Sequence, residues 1–103
     1  MKILAFAEQR EGKFKKSAFE VTQAARRIAG ELGAELVVLA IGDAVTNIVP
    51  ELGAYGATRA LVAEDARLRN YSTTAYSAVV AEAVRQQSAS ILFLPASQMG
   101  KDL

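Results

Sequence analysis

Leu36-Val37-Val38-Leu39-Ala40-Ile41 is apolar at every position. Successive side chains of a strand point to opposite faces, so this run fits a central parallel strand covered by helices on both sides. Three further apolar runs, over residues 3–7, 60–63 and 91–94, alternate with helical patterns along the chain. The order is β-α-β-α-β-α-β, followed by a polar turn opening one more helix. That alternation predicts a three-layer α/β/α domain, Rossmann-like, with a parallel sheet and right-handed crossovers.

The first helix is predicted over residues 17–32. Val21, Ala25, Ile28 and Leu32 recur at helical spacing and form its inward stripe. Ser17 is its expected N-cap and Gly33 its left-handed stop. A weaker helix over residues 44–52 should end at Gly53, and Pro50 should leave it short, kinked or in two parts. The last helix, over residues 71–87, turns Tyr76, Val80 and Ala83 inward, with Asn70 or Ser72 as its cap.

At 103 residues the chain suits one domain, large enough to bury roughly two-thirds of its unfolded surface. A net charge of +1 gives no electrostatic reason to expect nucleic acid or an anionic membrane as partner. There is no cysteine, which excludes disulfides, thiolate nucleophiles and zinc–thiolate sites. There is no histidine, the commonest metal ligand and general base near neutral pH, which argues against catalysis. No apolar run approaches the roughly 20 residues needed to span a bilayer. The opening Met1-Lys2-Ile3-Leu4-Ala5-Phe6-Ala7 reaches Glu8 too soon for a signal peptide and reads as a first strand. These features point to the cytoplasm and away from membrane insertion.

Glu8-Gln9-Arg10-Glu11-Gly12-Lys13-Phe14-Lys15-Lys16 joins the first strand to its helix. Lys13, Lys15 and Lys16 could face a phosphate, or the segment is a solvated turn with Gly12 at its tip. No G-x-G-x-x-G follows the strand, and Gly100-Lys101 lacks the rest of a P-loop. Gly42-Asp43 could hold a ribose hydroxyl, or Gly42 turns the chain and Asp43 caps the next helix. Gly53 and Gly56 bracket a tight return to the third strand, and Glu64-Asp65 reads as a solvated strand end. Ser97-Gln98-Met99-Gly100-Lys101-Asp102 offers a hydroxyl, a glycine and the N–H groups of a helix start, which suit an anion or simply a cap and turn. The remaining place for ATP or AMP is the carboxyl ends of the first, second and fourth strands, near Glu8, Gly42 and Ser97.

An ordered set of segments carries a resemblance. Ala7-Glu8, Gly12-Lys13, Glu20 and Ala24-Ala25-Arg26 open it. Tyr55-Gly56-Ala57-Thr58-Arg59-Ala60-Leu61-Val62-Ala63-Glu64-Asp65 continues it. Tyr71, Thr74-Ala75-Tyr76 and Ser97-Gln98-Met99-Gly100-Lys101-Asp102-Leu103 complete it. Together they resemble the N-terminal domain of the electron-transfer flavoprotein alpha subunit family.

The resemblance implies an adenine-nucleotide-hydrolase-like α/β domain, truncated after its fourth strand. Residues 1–103 would then be a partial N-terminal domain, with the C-terminal FAD-binding domain absent. It implies an electron carrier rather than an enzyme, moving electrons through FAD from flavin-linked dehydrogenases to a quinone reductase. The implied partner is an electron-transfer flavoprotein beta subunit, which holds AMP. FAD belongs to the full-length protein, and none is expected on this fragment. No catalytic, cofactor-binding or metal residue is assigned to this chain; its expected share is structural and partner-contacting. The alternative is a small stand-alone ATP-binding protein of the universal-stress type, although of that type's glycine-rich phosphate loop only Gly100 is present.

Overall fold

A computed structural model of the chain describes residues 1–95. Its centre is a parallel sheet built by β1 (Lys2–Phe6), β4 (Glu35–Gly42), β5 (Ala60–Glu64) and β6 (Ile91–Phe93), in the spatial order β5-β4-β1-β6. Lys2 to Phe6 pair with Glu35 to Leu39, Ile3 to Ala5 with Ile91 to Phe93, and Val38 to Gly42 with Ala60 to Glu64. The long apolar run is therefore an inner strand, as its two-faced composition requires.

The period-two alternation of β1 and β4 divides the core. Ile3, Ala5, Leu36 and Val38 face helix α1 (Lys16–Leu32). Leu4, Phe6, Val37, Leu39 and Ile41 face helix α2 (Thr73–Gln87). The two helices thus cover opposite faces, which right-handed crossovers demand of a strand order that reverses direction at β1. The three-layer α/β/α, Rossmann-like reading is correct.

Several local expectations are corrected. α1 buries Ala18, Thr22, Ala25 and Ala29, while Val21 and Ile28 are half-buried and Leu32 is 50% exposed. The small stripe wins because Ala and Thr let the helix axis approach the sheet. Thr22 satisfies its buried hydroxyl by donating to the Ala18 carbonyl at 2.8 Å. Ser17 does not cap α1; Lys15 holds the N-cap position without a side-chain bond, and Ser17 already lies inside the first turn. Gly33 ends the helix as expected.

Residues 44–52 do not form an α-helix. A 3-10 helix over Val49–Tyr55 takes their place, with Pro50 in its first turn, where a missing N–H costs nothing. Pro50 therefore starts this segment rather than kinking it. The segment runs past Gly53 and stops at Gly56, whose φ of 103° only glycine adopts without strain.

The connection after β1 is not a simple solvated turn. Gln9–Arg10 (β2) and Lys13–Phe14 (β3) pair antiparallel. Glu11 and Gly12 between them both have positive φ, the type I′ geometry that suits a two-residue hairpin loop. α2 begins at Thr73, and Ser72, one of the two proposed caps, accepts from the Ala75 N–H at 3.4 Å. Ser97 to Asp102, singled out as an anion or capping segment, lies outside the described residues.

Candidate functional site

The carboxyl ends of parallel strands are where backbone groups and loops converge around ligands in open α/β sheets. Here a cleft of about 700 Å³ opens at the ends of β1 and β4. The β2–β3 hairpin forms one wall with Gln9, Glu11 and Gly12, and the post-β4 loop (Asp43, Ala44) forms another. Arg69 and Asn70, on the approach to α2, close the third side. A smaller hollow of about 290 Å³ adjoins it, sharing Gln9 and Arg69 and reaching Tyr71 and Tyr76.

Gln9 holds this end of the sheet together. Its Nε2 donates to the Ile41 carbonyl at 2.9 Å, and its Oε1 accepts from the Gly12 N–H at 3.0 Å. One amide thereby pins the hairpin to the carboxyl end of β4. Gly42 is what lets it approach: a Cβ there would lie 2.6 Å from Val45 Cγ1 and 2.7 Å from Gln9 Nε2. Gly42 thus serves close packing rather than a ligand.

Glu8 is buried directly after β1 and pairs with Lys15 Nζ at 3.6 Å. Its carboxylate belongs to the junction between the strand and α1. Glu8 and Gly42, two of the three positions proposed near ATP or AMP, therefore have internal partners. The third, Ser97, lies outside the described residues.

Asp43 does not cap a helix; its Oδ2 stands 3.8 Å from Arg69 Nε across the cleft. The capping of the post-β4 turn falls instead to Glu64 at the end of β5. Its Oε1 accepts from the N–H groups of Val45 at 2.8 Å and Thr46 at 3.0 Å, and from the Thr46 hydroxyl at 3.1 Å. Those bonds, the Thr46 N–H first, hold the Glu64 carboxyl below its usual range. Glu64-Asp65 is thus an anchored strand end. Tyr76 donates its phenol to the Leu68 carbonyl at 2.7 Å, and burial raises its pKa. Among the described residues no group of three potential ligands could hold a metal.

Asp65 caps the short 3-10 helix Ala66–Leu68 by accepting from the Arg67 N–H at 2.8 Å, and the Arg67 guanidinium closes on the same carboxylate. The Arg67 side chain, then its N–H, lower the Asp65 carboxyl to about 2. Its pKa is depressed on folding, so its contribution to stability is full above the unfolded chain's value of 3.8 and is lost as pH falls through about 2. Asp65→Asn is expected to lower the urea midpoint at about pH 7, and the gap from the parent chain should close toward about pH 2. A gap of equal size at both pH values would contradict this role.

Sequence reasoning missed Gln9, Arg69 and Asn70 as cleft residues. Gly12 within a charged segment was the available sequence signal for the turn, but strands of two residues are too short to show alternation. The arrangement is polar, carries both signs of charge, and presents Glu11, Asp43 and Arg69 around an open space. Of these charged groups, Asp43 and Arg69 are engaged with one another. Among the described residues no helix is long and apolar enough to cross a membrane.

Residues 3–103 match the model of the electron transfer flavoprotein domain family. The chain is 37% identical over 101 residues to the acryloyl-CoA reductase electron transfer subunit beta of Anaerotignum propionicum, covering 98% of this chain and 28% of that protein. It is 35% identical over 101 residues to the electron transfer flavoprotein subunit alpha of Megasphaera elsdenii, covering 98% of this chain and 30% of that one. With the Bacillus subtilis electron transfer flavoprotein subunit alpha it shares 34% identity over 102 residues, 99% of this chain and 31% of the relative. The chain thus spans under a third of the length of these curated relatives. A parallel β5-β4-β1-β6 sheet between two helical layers, together with these matches, makes the chain a member of the electron transfer flavoprotein domain family, of the alpha-subunit N-terminal type.

Proposed function

We propose that this chain is the N-terminal domain of an electron-transfer flavoprotein alpha subunit, working as a scaffold and partner-contacting unit. The observation that carries the reading is the family match over residues 3–103, with alpha-subunit relatives aligned across nearly the whole chain. In the whole protein, electrons pass through FAD from flavin-linked dehydrogenases to a quinone reductase, in the cytoplasm. The flavin supplies the redox chemistry, and the protein supplies position and electrostatics. A beta subunit is the expected partner.

The geometry of the cleft supports a scaffold role over a cofactor role for this domain. Gln9 fills the approach to Gly42, Glu64 takes up the N–H groups of the post-β4 turn, and Glu8 turns inward to Lys15. In a nucleotide site those backbone groups and that open approach are what phosphate and ribose need. The stand-alone ATP-binding alternative draws no support from the family match.

The test is titration of the chain with FAD, followed by the visible flavin spectrum, and with ATP and AMP by calorimetry. The expected result is no complex tighter than about 10 µM with any of the three, near −7 kcal/mol. Stoichiometric FAD binding below that value would overturn the scaffold reading, and tight ATP binding would restore the stand-alone alternative.

A further inference from the structure

Residues 43–48 leave the end of β4, form one wall of the cleft with Asp43 and Ala44, and lead into the 3-10 helix Val49–Tyr55. Two unlike anchors hold this loop. The first is apolar: Val45 and Ile48 are buried with Ala40. The second is the Glu64 carboxylate at the end of the outer strand β5. Its Oε1 alone takes the Val45 N–H at 2.8 Å, the Thr46 N–H at 3.0 Å and the Thr46 hydroxyl at 3.1 Å. Among the described residues no other side chain accepts a hydrogen bond from this loop's backbone.

The two anchors answer to different conditions. Burial of Val45 and Ile48 does not depend on pH, whereas Glu64 is exposed and titrates. Hydrogen bonds to an ionised acceptor are roughly twice as strong as neutral ones. All three donors share one oxygen, so all three weaken together when the carboxyl takes up a proton. The same donors, the Thr46 N–H foremost, lower the Glu64 pKa on folding. Their hold is therefore full above the unfolded chain's value of 4.5 and is lost as pH falls through the lower folded value.

The other charged groups near the loop have different engagements. Asp43, on the loop itself, faces Arg69 at 3.8 Å. Asp65 follows Glu64 but closes on Arg67. Glu11 lines the hairpin wall of the cleft, and the Tyr76 phenol donates to the Leu68 carbonyl. None of them accepts from Val45 or Thr46.

We propose that Glu64 is an acid-sensitive latch on the cleft. Ionised, it holds the post-β4 loop to the end of β5 and keeps that wall in place. Protonated, it lets the loop open and widens the cleft. The control thus sits on the outer strand, and the movement is at the carboxyl end of its neighbour.

Amide hydrogen exchange read residue by residue tests it, expressed as protection factors so that the intrinsic effect of pH on exchange is divided out. From about pH 7 to about pH 3, the Val45 and Thr46 amides should lose protection about tenfold or more, while Val37 to Ala40 keep theirs. Glu64→Gln retains an acceptor without the charge. Its Val45 and Thr46 amides should already be about tenfold less protected near pH 7, and should change little in acid. Asp43→Asn removes the loop's own carboxylate and leaves the latch, so its acid response should match that of the parent chain. A loop that keeps its protection in acid overturns the proposal, because the apolar anchor then suffices. So does a Glu64→Gln chain that matches the parent near pH 7, or an acid response that vanishes in Asp43→Asn. A loss shared equally by Val37 to Ala40 also overturns it, since that marks general unfolding.

Discussion

Phe6→Ala is expected to cost about 3–5 kcal/mol, since it removes a large ring from a close-packed site. Phe6 is 1% exposed on the α2 face of β1, within the cluster of Leu4, Val37, Leu39, Tyr76 and Val80. The strand beneath is hydrogen-bonded on both sides, to β4 and β6, so the backbone cannot collapse into the space left behind. A domain of this size has a total stability of about 5–15 kcal/mol, so the variant should be close to unfolding at moderate temperature. Urea denaturation of the two chains checks it, and a loss below about 1 kcal/mol would show the ring to be packed loosely.

Gly42→Ala should lose about 1–3 kcal/mol by overpacking. The new methyl would meet Val45 Cγ1 at 2.6 Å and Gln9 Nε2 at 2.7 Å. Val45 is 1% exposed and has no room to retreat. Gln9 can swing away, but it then releases the Ile41 carbonyl and the Gly12 N–H and frees the hairpin. The damage should therefore be shared between stability and hairpin order. A double-mutant cycle with Gln9→Ala separates the parts: the pair should be less harmful than the sum of the singles, because truncating Gln9 removes one of the two clashes. Strict additivity would mean that the glutamine does not occupy this approach.

The strands were legible because apolar runs on a two-faced sheet leave little choice. Leu36 to Ile41 could be nothing but an inner strand once helical patterns flanked it, and β4 extends that run by one residue at each end. Tyr76, Val80 and Ala83 were legible for the same reason on α2. The α1 stripe was misread by three residues, a rotation of about 60° at 3.6 residues per turn. Ala25 belongs to both the expected and the observed stripe, so periodicity alone could not choose between them. What chose was size: Ala18, Thr22 and Ala29 permit a close approach to the sheet that Val21 and Leu32 would block.

The cleft was harder to see. Its key contact joins Gln9 to Ile41, 32 residues away, through a side-chain amide. Nothing in local composition marks a glutamine as the pin between a hairpin and a strand. Glu64 is the same kind of case, because its three hydrogen bonds reach back to Val45 and Thr46 across the sheet. Asp43, read as the cap of that turn, stands nearer in sequence but pairs with Arg69 instead. Caps supplied from a distant strand are tertiary facts, and sequence spacing does not carry them.

The central claim is that this domain contributes contacts rather than chemistry. Calorimetric titration of the chain with the proposed partner, an electron-transfer flavoprotein beta subunit, tests it most directly, with amide hydrogen exchange on the mixture to locate the contact. The account predicts a 1:1 complex, with protection gained on this domain and with no flavin required for the two proteins to meet. Absence of any complex up to about 100 µM, near −5.5 kcal/mol, would contradict it.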